Sequence, residues 1–350
     1  GIEAMIQLLQ WTLLAKNLDE GIVNPRFEPL GLGEPMTWKY RGQVIPANRR
    51  ITTTLELTEI REEAGSTLAV ADASLWVDGK RIYEASGLAM RVVSGGTPPT
   101  PTYTLDPATD RWLGDHRPTW TLPALPMMSM VDLLAQGACT ADPVTSLRDV
   151  RVKGWLTFDG PRVLRTDRRG EQVRLVSENA DGSETEVATA RVQTGPYSRR
   201  PTPLPALDGE AMALPYETGE LFHGPAFQVL ERLVRTPLGA SSVLRAQSDV
   251  PLGRLNPALL DGATHGIPHD QLHLWYARLS TDKVAYPALI PEMHFFGPAP
   301  TTGTIRCEVR PDGTLGSEDF PAFQVQLIGD AGVWCSFRLV EACFDKGVIG

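Results

Sequence analysis

Apolar residues at Ile2, Met5, Ile6, Leu9 and Leu13 recur at helical spacing, so the chain opens on a helix within GIEAMIQLLQWTLLA. The pattern then changes to runs rich in β-branched residues, which predict strands over 37–44, 51–60, 67–77 and 80–93. Asp78 and Gly79 supply the turn of a hairpin between the last two. Helix and strands return over 127–139 and then near 148–158, 162–166, 172–178 and 185–192. A third round has a lead-in over 222–233, a strand over 241–246, a helix from about Pro257, and strands near 292–296, 303–309, 323–328 and 332–342. Glycine and proline break both periodicities over 94–107 and 198–207, which read as linkers. An apolar helix face needs a sheet to cover it. The expectation is therefore an α+β protein of three units, 1–95, 96–200 and 201–350, each a long helix wrapped by antiparallel strands. The repeat is structural, without residue-level periodicity.

Composition narrows the function classes. With 42% hydrophobic residues the chain can fill real cores, so global disorder is excluded. A net charge of −9 argues against a nucleic-acid groove, which needs clustered Lys and Arg with stacking aromatics. Against that acidity, Arg162, Arg165, Arg168, Arg169, Arg174, Arg199 and Arg200 form a local basic group. They read either as a rim that steers an acidic partner or as a solvated strand edge. Four cysteines without CxxC pairing point to buried free thiols and a reducing, cytoplasmic compartment. No run approaches the roughly 20 apolar residues of a membrane helix, and no secretory signal opens the chain, so a soluble protein without a membrane span is expected.

The candidate chemistry lies in three distant segments: DHRPTWTLPALP (115–126), FHGPAF (222–227) and LNPALLDGATH (255–265). Asp261 and His265 are four residues apart and share one face of the helix that follows Asn256 and Pro257. His265, His269 and His273 also repeat at helical spacing, but Pro268 interrupts them and no cysteine completes a zinc set, so no metal is expected.

Together these segments resemble the dehydratase domains of polyketide synthases and polyunsaturated fatty acid synthases, in which a histidine of one hot-dog fold meets an aspartate on the central helix of a second. The resemblance implies that His116 is the general base and Asp261 a protonated carboxyl acid, with His265 holding the leaving hydroxyl. Trp120 stands where the family's HxxxGxxxxP segment has glycine, and Pro126 lies one residue later than that pattern places it. His223 replaces the tyrosine of YGPxF, before Gly224, Pro225 and a channel-lining Phe227. Aligning helix-opening prolines instead makes Asp132, six residues after Pro126, an alternative acid. GIEAMIQLLQ and WKYRGQVIP resemble the bacterial β-hydroxyacyl-carrier dehydratases, which makes Glu3 an acid whose histidine is expected upstream of Gly1. The implied arrangement is a double hot dog over 96–350 preceded by one further hot dog. The implied activity is dehydration of a β-hydroxyacyl chain on the phosphopantetheine arm of an acyl carrier protein. No cofactor, a homodimer and neighbouring synthase domains go with it. A thioester hydrolase and a non-catalytic scaffold stay open, because fold alone does not decide chemistry.

Overall fold

The structure, a computed structural model, describes residues 1–22, 25–29, 33–63, 65–95, 101–118, 122–179 and 181–346. It divides into two compact units, Gly1–Pro99 and Thr100–Gly350.

In the first unit, helix α1 (Ile2–Ala15) buries Met5, Leu9 and Leu13, one side chain per turn, and turns Trp11 and Leu14 outward. Beneath it lie β1 (Pro25–Pro29), β2 (Thr37–Tyr40), β3 (Ile51–Glu63), β4 (Ser66–Val77) and β5 (Lys80–Ser94). They pair antiparallel in the order β1-β5-β4-β3, with β2 also on β5. Small residues Ala69, Ala71 and Ala73 on β4 belong to the same apolar cluster as the three helix residues. The β4–β5 hairpin turns through Asp78 and Gly79 with φ of 48° and 85°. Both are left-handed, as a two-residue turn matching the strand twist requires. Asp78 suits the position for a second reason, since its carboxylate accepts the backbone N–H groups of Arg49 and Arg50.

The second unit contains β6 (Thr102–Leu105), α2 (Met127–Gln136), β7 (Val144–Val152), β8 (Arg162–Arg169), β9 (Gln172–Glu178) and β10 (Glu184–Thr194). A long connection then leads to β11 (Leu230–Thr236), β12 (Gly239–Arg245), α3 (Pro257–Gly262), β13 (Lys283–Phe295), β14 (Thr304–Leu315), β15 (Ser317–Gly329) and β16 (Gly332–Asp345). All eleven strands form one sheet, ordered β11-β12-β14-β15-β16-β13-β7-β10-β9-β8-β6. Its seam is the antiparallel β7–β13 pair, where Ile290 faces Val150 and Met293 faces Leu147. Each side of the seam is a helix on antiparallel strands, and one apolar cluster runs through both, so the unit is a double hot dog. Residues Met127–Ala135 of α2 are all buried, as a helix enclosed by sheet must be. Helix α3 is short. Asn256 caps it by accepting from Leu259 N, and its Nδ2 donates to the carbonyls of Ala246 and Pro300, which fixes where the helix starts.

Within 222–233, Pro225 starts a 3-10 turn, Pro225–Phe227, that its missing N–H suits, and β11 begins at Leu230. Two sequence expectations need correction. β6 lies inside the stretch read as linker and pairs with β8. β13 starts nine residues before the expected Glu292. Pro287 disguises it in the sequence, and the ladder absorbs that residue in a register shift. No helix among the described residues is long and apolar enough to cross a membrane.

Candidate active site

The segment 115–118 and the turn at 222–227 are held against each other by Asp115. Its carboxylate accepts from Ala226 N at 2.8 Å, and its carbonyl accepts from Gly224 N at 2.7 Å. A Cβ on residue 224 would stand 2.4 Å from Asp115 Oδ1, so Gly224 is required by close approach. Pro225 and Phe227 complete that turn. Phe227 is fully buried beside the His116 ring, at 5.7 Å between centroids, so it packs that ring and does not line the cavity. This clamp brings His116 from the first half of the double hot dog to Asp261 on α3 of the second. His116, His223 and Asp261 each present a nitrogen or oxygen within 4.8 Å of the others. They line one cavity of about 180 Å³, together with Met127, Met128, Trp155 and Tyr286.

Hydrogen bonding fixes the roles available to these groups. His116 Nδ1 lies 2.8 Å from the carbonyl of Ala124, which can only accept, so Nδ1 carries the proton and Nε2 is bare. Burial, reinforced by His223, pushes the His116 pKa down to about 4, so the ring is neutral at pH 7. His223 is likewise held at about 4 by burial and His265. Asp261 differs. Burial opposes its ionisation, yet hydrogen bonds from His223 and His265 outweigh burial and hold the carboxyl well below its ordinary range. Its Oδ2 accepts from His265 Nε2 at 3.1 Å and from His223 Nε2 at 3.3 Å. The protonated carboxyl expected from the sequence is therefore not the resting state.

His265 is fully buried behind Asp261, and its Nδ1 accepts from the Tyr216 hydroxyl at 2.7 Å. With both ring nitrogens engaged it cannot hold a leaving hydroxyl, contrary to expectation. His223, whose Nδ1 has no hydrogen-bond partner, is the side chain placed for that contact. Tyr216, which donates to His265 Nδ1, carried no motif and was missed, as were Trp155 and Tyr286.

The other expected residues lie elsewhere or serve structure. Asp132 does not line the cavity: Oδ1 accepts from Leu255 N at 2.7 Å and Oδ2 from Gln136 at 2.8 Å, tying α2 to the entry of α3. Burial raises its pKa to about 6. Asp132→Ala is expected to cost about 1–3 kcal/mol, the penalty for stranding a buried N–H, measured as a lower urea midpoint. Lost turnover at unchanged stability would return Asp132 to the chemistry. Pro126 is the N-cap of α2. Trp120 lies outside the described residues. Glu3 is exposed on α1 and accepts from Gln7, and all six histidines of the chain lie in the second unit. The histidine series is split between partners, since His269 pairs with Glu341 at 2.9 Å while His265 serves Asp261. The arginine group is largely neutralised within the sheet. Arg165 and Arg174 share Asp167, and Arg168 donates to the carbonyls of Ala138 and Gly170. β8 lies between β9 and β6, and β9 between β10 and β8, so these arginines do not mark an edge strand.

Comparison with known proteins agrees with this architecture. Residues 1–86 match the model of the FabA-like domain. A polyunsaturated fatty acid synthase polypeptide of Thraustochytrium sp. (strain ATCC 26185 / S-3) is 33% identical over 97 residues, which are 27% of this chain and 6% of that protein. The compared stretch is thus a small part of that relative. Among solved structures, GphF dehydratase 1 superposes with a TM-score of 0.56 at 19% identity, covering 69% of this chain and 92% of its own. The dehydratase domain from the CurJ module of curacin polyketide synthase gives 0.55 at 10% identity, covering 83% and 97%. A trans-acyltransferase polyketide synthase enoyl-isomerase gives 0.52 at 10% identity, covering 69% and 100%. Similarity at this level establishes the hot-dog fold.

Proposed function

We propose that residues 100–350 remove water from a β-hydroxyacyl thioester, carried by an acyl carrier protein within a multidomain fatty acid or polyketide synthase, to give an enoyl thioester. The observation that carries this reading is a neutral His116 with a bare Nε2 facing an ionised Asp261 in one cavity, each from a different half of the sheet. Nε2 takes the α-proton, which the thioester carbonyl acidifies. The imidazolium so formed is stabilised by the Asp261 carboxylate in a site with little water to screen it. The Cβ–O bond then breaks, and the departing hydroxyl takes the same proton from His116 and leaves as water. No net proton is gained or lost, so no protonated carboxyl is required. His223 orients the hydroxyl, while Tyr216 and His265 hold Asp261 in place. A homodimer fits the first unit, whose edge strand β3 exposes Ile51 and Ile60.

Incubation of the chain with a β-hydroxyacyl pantetheine thioester, read by mass spectrometry, tests the reaction. Loss of one water is expected. Release of free thiol would mark a hydrolase, and an unchanged substrate would mark a scaffold. The pH profile tests the proton route. His116 works only as the neutral ring, so kcat/KM is expected to fall as pH drops through about 4 and to stay level from about 5 to 8. A tenfold loss per unit of rising pH across that plateau would instead require a protonated Asp261.

A further inference from the structure

We propose that His116, His223 and Asp261 also form a binding site for a divalent first-row transition ion, Zn²⁺ foremost, and that the bound ion holds the enzyme off by occupying the lone pair of His116. This goes beyond the dehydration reading, since binding the ion needs no substrate. The donor set is two imidazoles and a carboxylate, all buried, with their ligating atoms within 4.8 Å of one another. Two nitrogen donors select zinc, cobalt or nickel over magnesium and calcium, which prefer oxygen. A tetrahedral ion with bonds of about 2.0–2.1 Å sets its ligands about 3.3 Å apart. His223 Nε2 and Asp261 Oδ2 already stand at 3.3 Å, and a ring nitrogen of His116 lies within 4.8 Å of both side chains.

Supporting groups are in place. The Ala124 carbonyl holds the proton of His116 on Nδ1 and leaves Nε2 free to ligate, and His265 steadies the carboxylate from behind. Asp261 draws the His223 proton to Nε2, but Nδ1 of that ring has no hydrogen-bond partner, so the proton can move to Nδ1 and free Nε2 for the ion. The cavity of about 180 Å³ leaves room for a water as fourth ligand. The three residues come from segments far apart in the chain, so no spacing motif announces them. Where sequence resemblance places a tyrosine, this chain has His223, which supplies the second nitrogen.

The test uses the full metal-free chain titrated with Co²⁺ and read by its visible absorption, with Zn²⁺ competition by calorimetry. One ion per chain is expected, without the sulfur-to-metal bands that coordination by any of the four cysteines would give. His223→Phe should weaken binding by more than the roughly 10–100-fold that loss of a supporting group costs, with its circular dichroism retained. Should that variant unfold, Asp261→Asn replaces it in the same titration. Absence of binding up to about millimolar ion, or binding that these variants leave unaltered, overturns the site. Zn²⁺ should abolish turnover and a chelator should restore it; saturation with Zn²⁺ at undiminished turnover overturns the inhibitory role. A metal-free chain that binds Co²⁺ but turns over no thioester counts against the dehydratase reading and leaves the metal site standing.

Discussion

His116→Ala is expected to lower kcat by about 10²–10⁴-fold, the range for removing a general base. The side chain has one free lone pair, and its other nitrogen is committed to Ala124. In the proposed route this lone pair both collects the α-proton and returns it to the hydroxyl, while His223 only orients that hydroxyl. The loss should fall on kcat, with KM changing little, because the ring meets the substrate's reacting atoms and not its chain. Melting temperature and cavity-sized apolar probes check that the site has not collapsed among Phe222, His223 and Phe227, which surround the ring. A loss smaller than about tenfold would remove His116 from the proton path.

Asp261→Asn should be comparably severe, at about 10²–10⁴-fold in kcat. Asparagine keeps the shape and one carbonyl acceptor, so α3 and its cap should fold as before. What disappears is the negative charge that favours the charged form of His116. Two readouts should therefore move together. Turnover falls, and the acid limb of kcat/KM moves to still lower pH, because His116 without its carboxylate neighbour is harder to protonate. A variant in which turnover falls while that limb stays near 4 would mean that Asp261 acts on the substrate alone.

The central pairing was legible in the sequence because spacing on a helix is a local property. Asp261 and His265 are four residues apart, and although α3 ends at Gly262, the turns that follow it keep a helix-like path that brings the two into contact at 3.1 Å. Joining His116 to that helix needed the family pattern, because nothing in the composition of 115–126 says which distant segment it faces. The protonation state of Asp261 was misjudged for a physical reason. Burial, the effect that composition suggests, is present and does raise the carboxyl, but two donors outweigh it, and donors are visible only in three dimensions. Tyr216 was invisible on the same grounds, sitting in a proline-flanked connection with no periodicity and reaching His265 across 49 residues. Among the strands, the regular alternation of β9 marked its bounds correctly. β6 and the front of β13 were hidden by prolines that a pattern search takes as breaks.

The β7–β13 seam makes the sheet a measuring device for the chemistry. His116 and Asp261 belong to bodies whose relative position is set by which residues of these two strands stand opposite each other. A slip of two residues would keep every apolar side chain on its proper face, yet would translate one half by about 6.8 Å, at roughly 3.4 Å per residue. That exceeds the 4.8 Å within which the nitrogen and oxygen atoms of His116, His223 and Asp261 now lie. Hydrophobic patterning tolerates such an offset and catalysis does not, so something other than apolar burial has to choose the register. Bonds that cross between the halves supply that choice, because Asp115 accepts from Gly224 N and Ala226 N, and Asp132 from Leu255 N, only at this offset. Replacing Asp115 by alanine, which removes one of these bonds, attacks alignment while leaving the reacting groups chemically intact.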